Sequence, residues 1–292
     1  MNEKVLVGGD KFVAIVVLNW NGWRNTINCL SSLQSLNYGN KKIIIVDNAS
    51  SDDSCFQIEK AYPDVTLLRS KENLGFGGGC NIGIRYAIAQ GADYVWLLNN
   101  DTVVEPSTLT TLAIEMEQDL KTAAVGSIMV EMESRTRVQA WGGGFINLYS
   151  GRAKHSKFTD NPRDLDYLTA ASLLLRVLAL EHVGLFNEKT YFMYWEDVDL
   201  CFRLKQSGWQ LSVAQNTHIR HIESASLRNQ KALLHYYFSY SSIQFLKRYS
   251  PTPLISITVS ITGRALKMLI KGNWSSFLAV IKGAYFSLIK SH

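Results

Sequence analysis

Asn99-Asn100-Asp101 directly follows an apolar run, Tyr94-Val95-Trp96-Leu97-Leu98. A carboxylate there can hold Mg²⁺ or Mn²⁺, hard cations that take oxygen ligands and share them with substrate phosphate. The same residues can instead cap a turn and satisfy loop backbone. Asp47 follows Ile43-Ile44-Ile45-Val46 in the same way. It can accept a hydrogen bond from a base or sugar, or open an Asx turn toward Asp52 and Asp53, which then cap the next helix. Trp195-Glu196-Asp197-Val198-Asp199 sets three carboxylates where a helix begins. One can serve as a general base. All three can equally stabilise the helix dipole, and Asp199 is spaced to pair with Arg203. The run Tyr191-Phe192-Met193-Tyr194-Trp195 suits sugar faces or a core. His218 and His221, beyond the strand-like Trp209 to Ala214, can ligate a metal, bind phosphate or be structural.

The Gly-rich stretch Asn73-Leu74-Gly75-Phe76-Gly77-Gly78-Gly79 lacks the Lys and Ser/Thr of a Walker loop. It also follows the third strand, not the first, unlike a dinucleotide fingerprint. It allows an anion close to a helix N-terminus, or a tight turn with close helix–sheet packing.

The elements that must position these residues alternate. Phe12 to Leu18, Ile43 to Val46 and Tyr94 to Leu98 are continuous apolar runs rich in β-branched residues, as in strands buried on both faces of a parallel sheet. Helix-like segments lie between them at Trp23 to Leu36, Asp52 to Ala61 and Gly78 to Ala89. The alternation predicts a doubly wound α/β sheet, with ligands outside the carboxyl ends of the strands. Further on, Val125 to Val130 and Leu168 to Val177 read as strands, Trp141-Gly142-Gly143-Gly144 as a flexible turn, and Asp197 to Gln206 as a helix stopping at Gly208.

With 292 residues and 47% apolar side chains the chain can bury a sizeable core. The four cysteines, Cys29, Cys55, Cys80 and Cys201, lack metal-like pairing and read as reduced thiols of a cytoplasmic protein. The first apolar stretch is too short for a secretory signal. Beyond Glu223 there is no acidic residue, while nine of the 30 Lys/Arg fall there; the body keeps 21 against all 25 Asp/Glu, a balance of −4. This tail breaks at Pro251 and Pro253. Trp274, Phe277, Leu278, Ile281, Tyr285 and Leu288 recur at helical spacing with Lys271, Lys282 and Lys290 nearby. That pattern fits an interfacial helix on anionic lipid or a helix packed on the body or a second subunit. No apolar run is read as long enough to span a bilayer; the best, Leu254 to Ile261, contains Ser and Thr and soon meets Arg264.

Taken in order, Val17-Leu18-Asn19-Trp20-Asn21-Gly22, Ile45 to Ser50, Asn73 to Gly78, Leu97 to Thr102 and Glu196 to Leu200 resemble family 2 glycosyltransferases, particularly the bacterial rhamnosyltransferase-like branch. The resemblance covers roughly residues 12 to 225. It implies the GT-A fold: a doubly wound mixed sheet flanked by helices, here with a helical basic C-terminal extension. The implied division is a donor half at about 1–122, an acceptor half at about 123–225, and the extension at 226–292.

The resemblance also implies roles. Asp47 and the Asn19 loop, with Asn21, would hold base and ribose. Asn73, Gly75, Gly77 and Asn81 would lie along the donor, and Asn99 and Asn100 would lean on it. Asp101 would ligate the cation with His221, which Ser224 and Ser226 follow. Asp197 would be the base, with Glu196 beside it. Two departures stand out: Asn-Asn-Asp leaves one carboxylate for the metal, and Cys80-Asn81 replaces an Arg-Asn pair.

The implied reaction is inverting transfer, with L-rhamnose from dTDP-rhamnose as best guess, onto a lipid-linked glycan of surface polysaccharide such as O-antigen. The implied setting is the inner face of the cell membrane, with a homodimer as an option and no nucleic acid. The rivals are another nucleotide sugar (a UDP-hexose or UDP-galactofuranose), a nucleotidyltransferase, and a non-catalytic nucleotide-sugar or glycan binder.

Overall fold

A computed structural model describes residues 11–133, 137–158, 161–222 and 231–289. Ser224 and Ser226, and the expected boundary at 225–226, lie outside the described residues. Strands β1 (Val13–Asn19), β2 (Lys41–Asp47), β3 (Thr66–Arg69) and β4 (Tyr94–Asn99) alternate with helices α1 (Trp23–Gln34), α2 (Ser54–Ala61) and α3 (Gly75–Ala89). After β4 come β5 (Thr102–Val103), α4 (Thr108–Glu117), β6 (Thr122–Glu131), β7 (Val138–Trp141), β8 (Gly143–Asn147), β9 (Arg152–His155), β10 (Tyr167–Leu168) and β11 (Ser172–Arg176). Helices α5 (Val177–Val183) and α6 (Glu196–Gln206), strand β12 (Gln210–His221), and helices α7 (Lys231–Tyr249), α8 (Pro253–Ile270) and α9 (Trp274–Ile289) complete the order.

The main sheet runs β3-β2-β1-β4-β11-β6-β12-β5, with β7 beside β6. β1 pairs in parallel with β2 and β4, so Asn19, Asp47 and Asn99 end three neighbouring strands at one edge. β11 then runs antiparallel to both β4 and β6, making the sheet mixed. The chain leaves β1 toward β2 and β3 on one side and returns through β4 on the other. That reversal opens a crevice at the strand ends. Both faces are covered. Val13, Ile15 and Val17 pack with Leu30 and Leu33 of α1, while Ala14 and Val16 pack with Ile84 and Ala87 of α3. Burying each such aliphatic side chain is worth roughly 1.5–3 kcal/mol.

Several expectations need correction. The third helix starts at Gly75, so the Gly-rich stretch is its first turn and not a loop before it. Packing outweighs the poor helix propensity of glycine there. A Cβ on Gly75, at φ +73°, would sit 1.9 Å from the Phe192 carbonyl oxygen, and one on Gly79 would sit 2.5 Å from Leu18 Cδ1. Trp141 to Gly144 is not a flexible turn. Only Gly142 turns (φ +73°), and Gly143 lies so close to β10 that a Cβ would meet the Tyr167 oxygen at 1.8 Å. Leu168 to Val177 splits into β10 and β11. His218 and His221 lie within β12, past an irregularity after Ala214, and not beyond a strand.

The tail is helical, and α8 begins with Pro253 in its first turn. It is not a loose appendage. Phe245 of α7 is fully buried between Trp195 and Phe202, with ring centroids 4.9 Å away in each case. Ser241 Oγ donates to the Met193 carbonyl at 2.8 Å, and Tyr249 OH to Asp199 Oδ1 at 2.9 Å. The expectation about spanning runs was too strict. Pro253–Ile270 has 18 residues with mean hydropathy 1.3, long and apolar enough by length and composition.

Candidate functional site

At the end of β4, Asp101 is buried and its Oδ1 has no hydrogen-bond partner among the described residues. His221 Nε2 lies 3.4 Å from that oxygen. The pairing of β5 with the last residues of β12, His221 opposite Thr102, brings the two side chains together. Gln139 of β7 orients the ring: its Oε1 lies 2.9 Å from His221 Nδ1, and its Nε2 donates to the His221 carbonyl at 3.0 Å. A proton on Nδ1 facing Gln139 leaves the Nε2 lone pair toward Asp101, with Asn99 Nδ2 at 3.4 Å. A buried orphan oxygen beside a ring nitrogen held from behind is a donor set that fits a divalent cation. His218 instead points at Glu105, 3.5 Å away and half exposed, which decides between the two histidines.

The neighbouring strand ends form one hydrogen-bonded chain. Asn100 Nδ2 donates to Thr26 Oγ1 at 3.0 Å, and Thr26 donates to Asn19 Oδ1 at 2.7 Å. Asn19 Nδ2 donates to Asp47 Oδ1 at 2.8 Å. Ser50 donates to the same oxygen at 2.6 Å through its hydroxyl, and its amide reaches Asp47 Oδ2 at 3.0 Å. Asp47 thus closes the turn that starts the next loop, and Asn19 is fully buried. Both brace the crevice, and their polar atoms are engaged within the protein. Asn21, exposed at φ +48°, accepts from the Ser51 amide at 2.8 Å. Gly22 is needed here, because a Cβ would lie 2.9 Å from Asn100 Nδ2.

The start of α3 is closed by protein acceptors. The Leu74 amide donates to Asn48 Oδ1, the Gly75 amide to Asn73 Oδ1, and the Phe76 amide to the Phe192 carbonyl. Asn81 donates to the Phe186 carbonyl at 2.9 Å and Glu188 Oε2 at 2.6 Å, and accepts from the Phe186 amide at 3.1 Å. Gly75, Gly77 and Asn81 pack closely against the 186–192 segment, and Asn73 accepts from Asn48 and the Gly75 amide.

Glu196 and Asp197 differ in surroundings. Tyr194 and Trp195 precede them with φ of 66° and 70°, a left-handed conformation that costs roughly 1–2 kcal/mol per residue. Glu196 is buried and its Oε2 is unpartnered. Burial, and then the Asp197 charge, push its carboxyl well above the usual range. Burial also raises Asp197, but the amides of Ala170 and Val198, at 3.2 and 2.8 Å from its oxygens, pull it back. Burial thus raises both carboxyls, while only Asp197 has amides of other residues bound to its oxygens that favour its charged form. Ala170-Ala171 joins this corner to the strand end: the Asn99 amide donates to the Ala171 carbonyl at 2.9 Å. Asp199 is structural as expected, fully buried with Arg203 Nε at 2.8 Å.

Reasoning from sequence missed Thr26, Asn48 and Gln139. Each is a lone polar residue in a helix, loop or strand, and only its position against another segment gives it weight. The aromatic run resolves toward the core: Tyr191 and Trp195 are buried, and Phe192 stacks on Tyr237 of α7 at 4.7 Å.

The family model described as Glycosyl transferase family 2 matches residues 14–176. The chain is 27% identical over 213 residues to the N-acetylglucosaminyl-diphospho-decaprenol L-rhamnosyltransferase of Mycobacterium tuberculosis, covering 65% of this chain and 66% of that protein. The match thus spans just under two thirds of the length of that relative. A galactofuranosyltransferase of Mycobacterium tuberculosis is 31% identical over 98 residues, 33% of this chain and 32% of its own length. Among solved structures, a mannosyltransferase from Pyrobaculum calidifontis in complex with GDP-Man and Mn²⁺ superposes with a TM-score of 0.61 at 13% identity. That match covers 97% of this chain and 88% of the other and shows a shared GT-A fold.

Proposed function

Because the chain belongs to glycosyl transferase family 2, we propose that it transfers L-rhamnose from dTDP-rhamnose, with inversion, to a lipid-linked glycan of a bacterial surface polysaccharide. The observation carrying this reading is the Ala170-Ala171 junction. One backbone step ties the Asp101–His221 corner, through Asn99, to the Asp197 carboxylate. The sugar and the lipid diphosphate rest on the name of the rhamnosyltransferase relative.

In this reading Asp101 and His221 hold Mg²⁺ or Mn²⁺, the cation named with the mannosyltransferase. Bound there, the cation would supply Lewis-acid neutralisation of the departing nucleoside diphosphate. Asp101 and His221 would be its donors from the protein, beside oxygens of the diphosphate. Asp197 takes the acceptor hydroxyl's proton as that oxygen attacks the anomeric carbon, and the bond to the diphosphate breaks with its electron pair leaving on oxygen. Asn99, Asn100 and Asn21 line the donor, while Asn19 and Asp47 keep its loop in shape. Residues up to 122 form the donor half and those from 123 the acceptor half.

The tail would sit on the inner face of the cell membrane. Leu254, Ile255, Ile270, Trp274, Leu278 and Ile281 are exposed on α8 and α9. Lys267, Lys271 and Lys282 are exposed with them, as on a helix at an anionic interface. The same face could join two copies of the chain instead, so flotation on anionic vesicles is read beside solution mass.

A second reading, a UDP-sugar donor such as UDP-galactofuranose, is favoured by the match to the galactofuranosyltransferase. A thermal-shift panel of nucleotide sugars with and without Mn²⁺ decides. dTDP-rhamnose should raise Tm only with metal, by mass action. A larger shift with UDP-galactofuranose would select the second reading, and no shift with any nucleotide sugar would overturn both.

A further inference from the structure

Between the 188–192 segment, α7 and α9 lies a cleft of about 570 Å³, within the size range of small-molecule sites. Its walls are aromatic. Phe192 stacks on Tyr237 at 4.7 Å, and Tyr236 meets Phe286 edge-on at 6.4 Å, with Tyr240 and Ile289 completing the lining. Such rings offer apolar faces to a branched hydrocarbon. The rim carries one exposed cation, Lys189, which forms no ion pair among the described residues. Glu188, the acidic residue beside it, is already matched by Arg85 at 2.9 Å and Asn81 at 2.6 Å. The unmatched charge at the rim is therefore positive.

We propose that this cleft seats the isoprenoid diphosphate end of a lipid-linked acceptor, with hydrocarbon against Phe192, Tyr236, Tyr237 and Phe286 and the diphosphate at Lys189. The inference rests on the glycosyltransferase reading above and names the acceptor subsite of the same site. Two relationships place it. Phe192 precedes Asp197 by five residues, at most roughly 17 Å of extended chain. On its other side the cleft is walled by exposed Phe286 and Ile289 of α9, and Phe286 meets Tyr285, the end of the exposed row Trp274, Leu278, Ile281 and Tyr285, edge-on at 5.5 Å. A hydrocarbon tail can thus run from a lipid surface along α9 into the cleft. Lys189 meets phosphate as a point charge.

The test is calorimetric titration of the full-length protein with farnesyl diphosphate, with inorganic pyrophosphate and farnesol as separate arms. Saturable binding of farnesyl diphosphate, tighter than either arm, is expected. Phe286→Ser and Ile289→Ser, both at exposed positions, should each weaken it about tenfold. Lys189→Ala should weaken farnesyl diphosphate and leave farnesol unchanged. Leu178→Ser, at an exposed position of α5 that does not line the cleft, should change nothing. Non-saturable binding, unchanged affinity in the two cleft variants, or an equal loss in Leu178→Ser would each overturn the proposal. Donor binding with Mn²⁺, measured on the same samples, separates the two claims. Donor binding without farnesyl diphosphate binding removes the cleft and leaves the reading, and the reverse removes the reading.

Discussion

His221 Nε2 and Asp101 Oδ1 face each other at 3.4 Å, and among the described residues no hydrogen bond to that oxygen competes with a cation. Asp101→Ala and His221→Ala should each abolish Mn²⁺-dependent donor binding. Gln139→Leu, which frees the ring behind, should weaken it about 10- to 100-fold. Titration of donor with and without Mn²⁺ measures all three. Donor binding indifferent to metal in the unmodified protein would sink the assignment.

Asp197→Asn should lower kcat by roughly 10²–10⁴-fold with little change in donor affinity. Glu196→Gln should stay within a few-fold of the unmodified rate, because burial disfavours the charged form of that carboxyl. Single-turnover transfer assays distinguish them. Near-normal turnover by Asp197→Asn would give the base role to another group.

The acid limb of kcat/KM should lie above the ordinary carboxylate range. A base works deprotonated, and burial raises Asp197, so activity falls as pH drops through that raised pKa. A pH–rate profile with its limb in the ordinary carboxylate range would refute this.

Glu196 should also mark stability. Its folded-state pKa is raised, so the folded protein holds that proton more tightly than the unfolded chain. The contribution is present below the unfolded pKa and is lost as pH rises through the folded one. Glu196→Gln should therefore gain Tm over the unmodified protein at alkaline pH, by about 2–4 °C per kcal/mol. The gain should shrink on acidification, and thermal melts across pH follow it.

Arg203→Met should destabilise the fold by about 3–5 kcal/mol, since it strands the fully buried Asp199. It also removes hydrogen bonds to the carbonyls of Val183, Gly184 and Leu185. Urea unfolding reads the loss, and a change below 1 kcal/mol would mean that Tyr249 and Arg248 hold Asp199 unaided.

The strands that carry the site were legible because β1, β2 and β4 are buried on both faces and advertise it as unbroken apolar runs. Their polar ends could be named for the same reason. The start of α3 was not legible. Glycines at 75, 77, 78 and 79 read as a loop by local preference, yet they form a helix packed against other segments, with Phe192 and Leu18 where a Cβ on Gly75 or Gly79 would lie. The resemblance pointed to His221, but that this ring and not His218 lies beside Asp101 follows from the register of β12 against β5, which no local pattern encodes. Gln139 needed the pairing of β7 with β6, which brings a lone amide behind the imidazole. For Asp47 and Asn19 the strand ends were legible, but the bonds that link them with Thr26 and Ser50 were not.

The docking of α7 on residues 192–199 bears on how such enzymes can be recombined. Phe238 and Phe245 clamp Trp195, and Tyr249 reaches Asp199, so the extension holds the backbone that aims Asp197. A chimera that exchanges everything after residue 230 would lose that clamp and should fail in turnover, whatever acceptor the new tail prefers. Acceptor preference should travel between relatives only when the 186–199 segment moves with the helices that grip it. In hereditary terms the two stretches form one unit, although some thirty residues of sequence separate them.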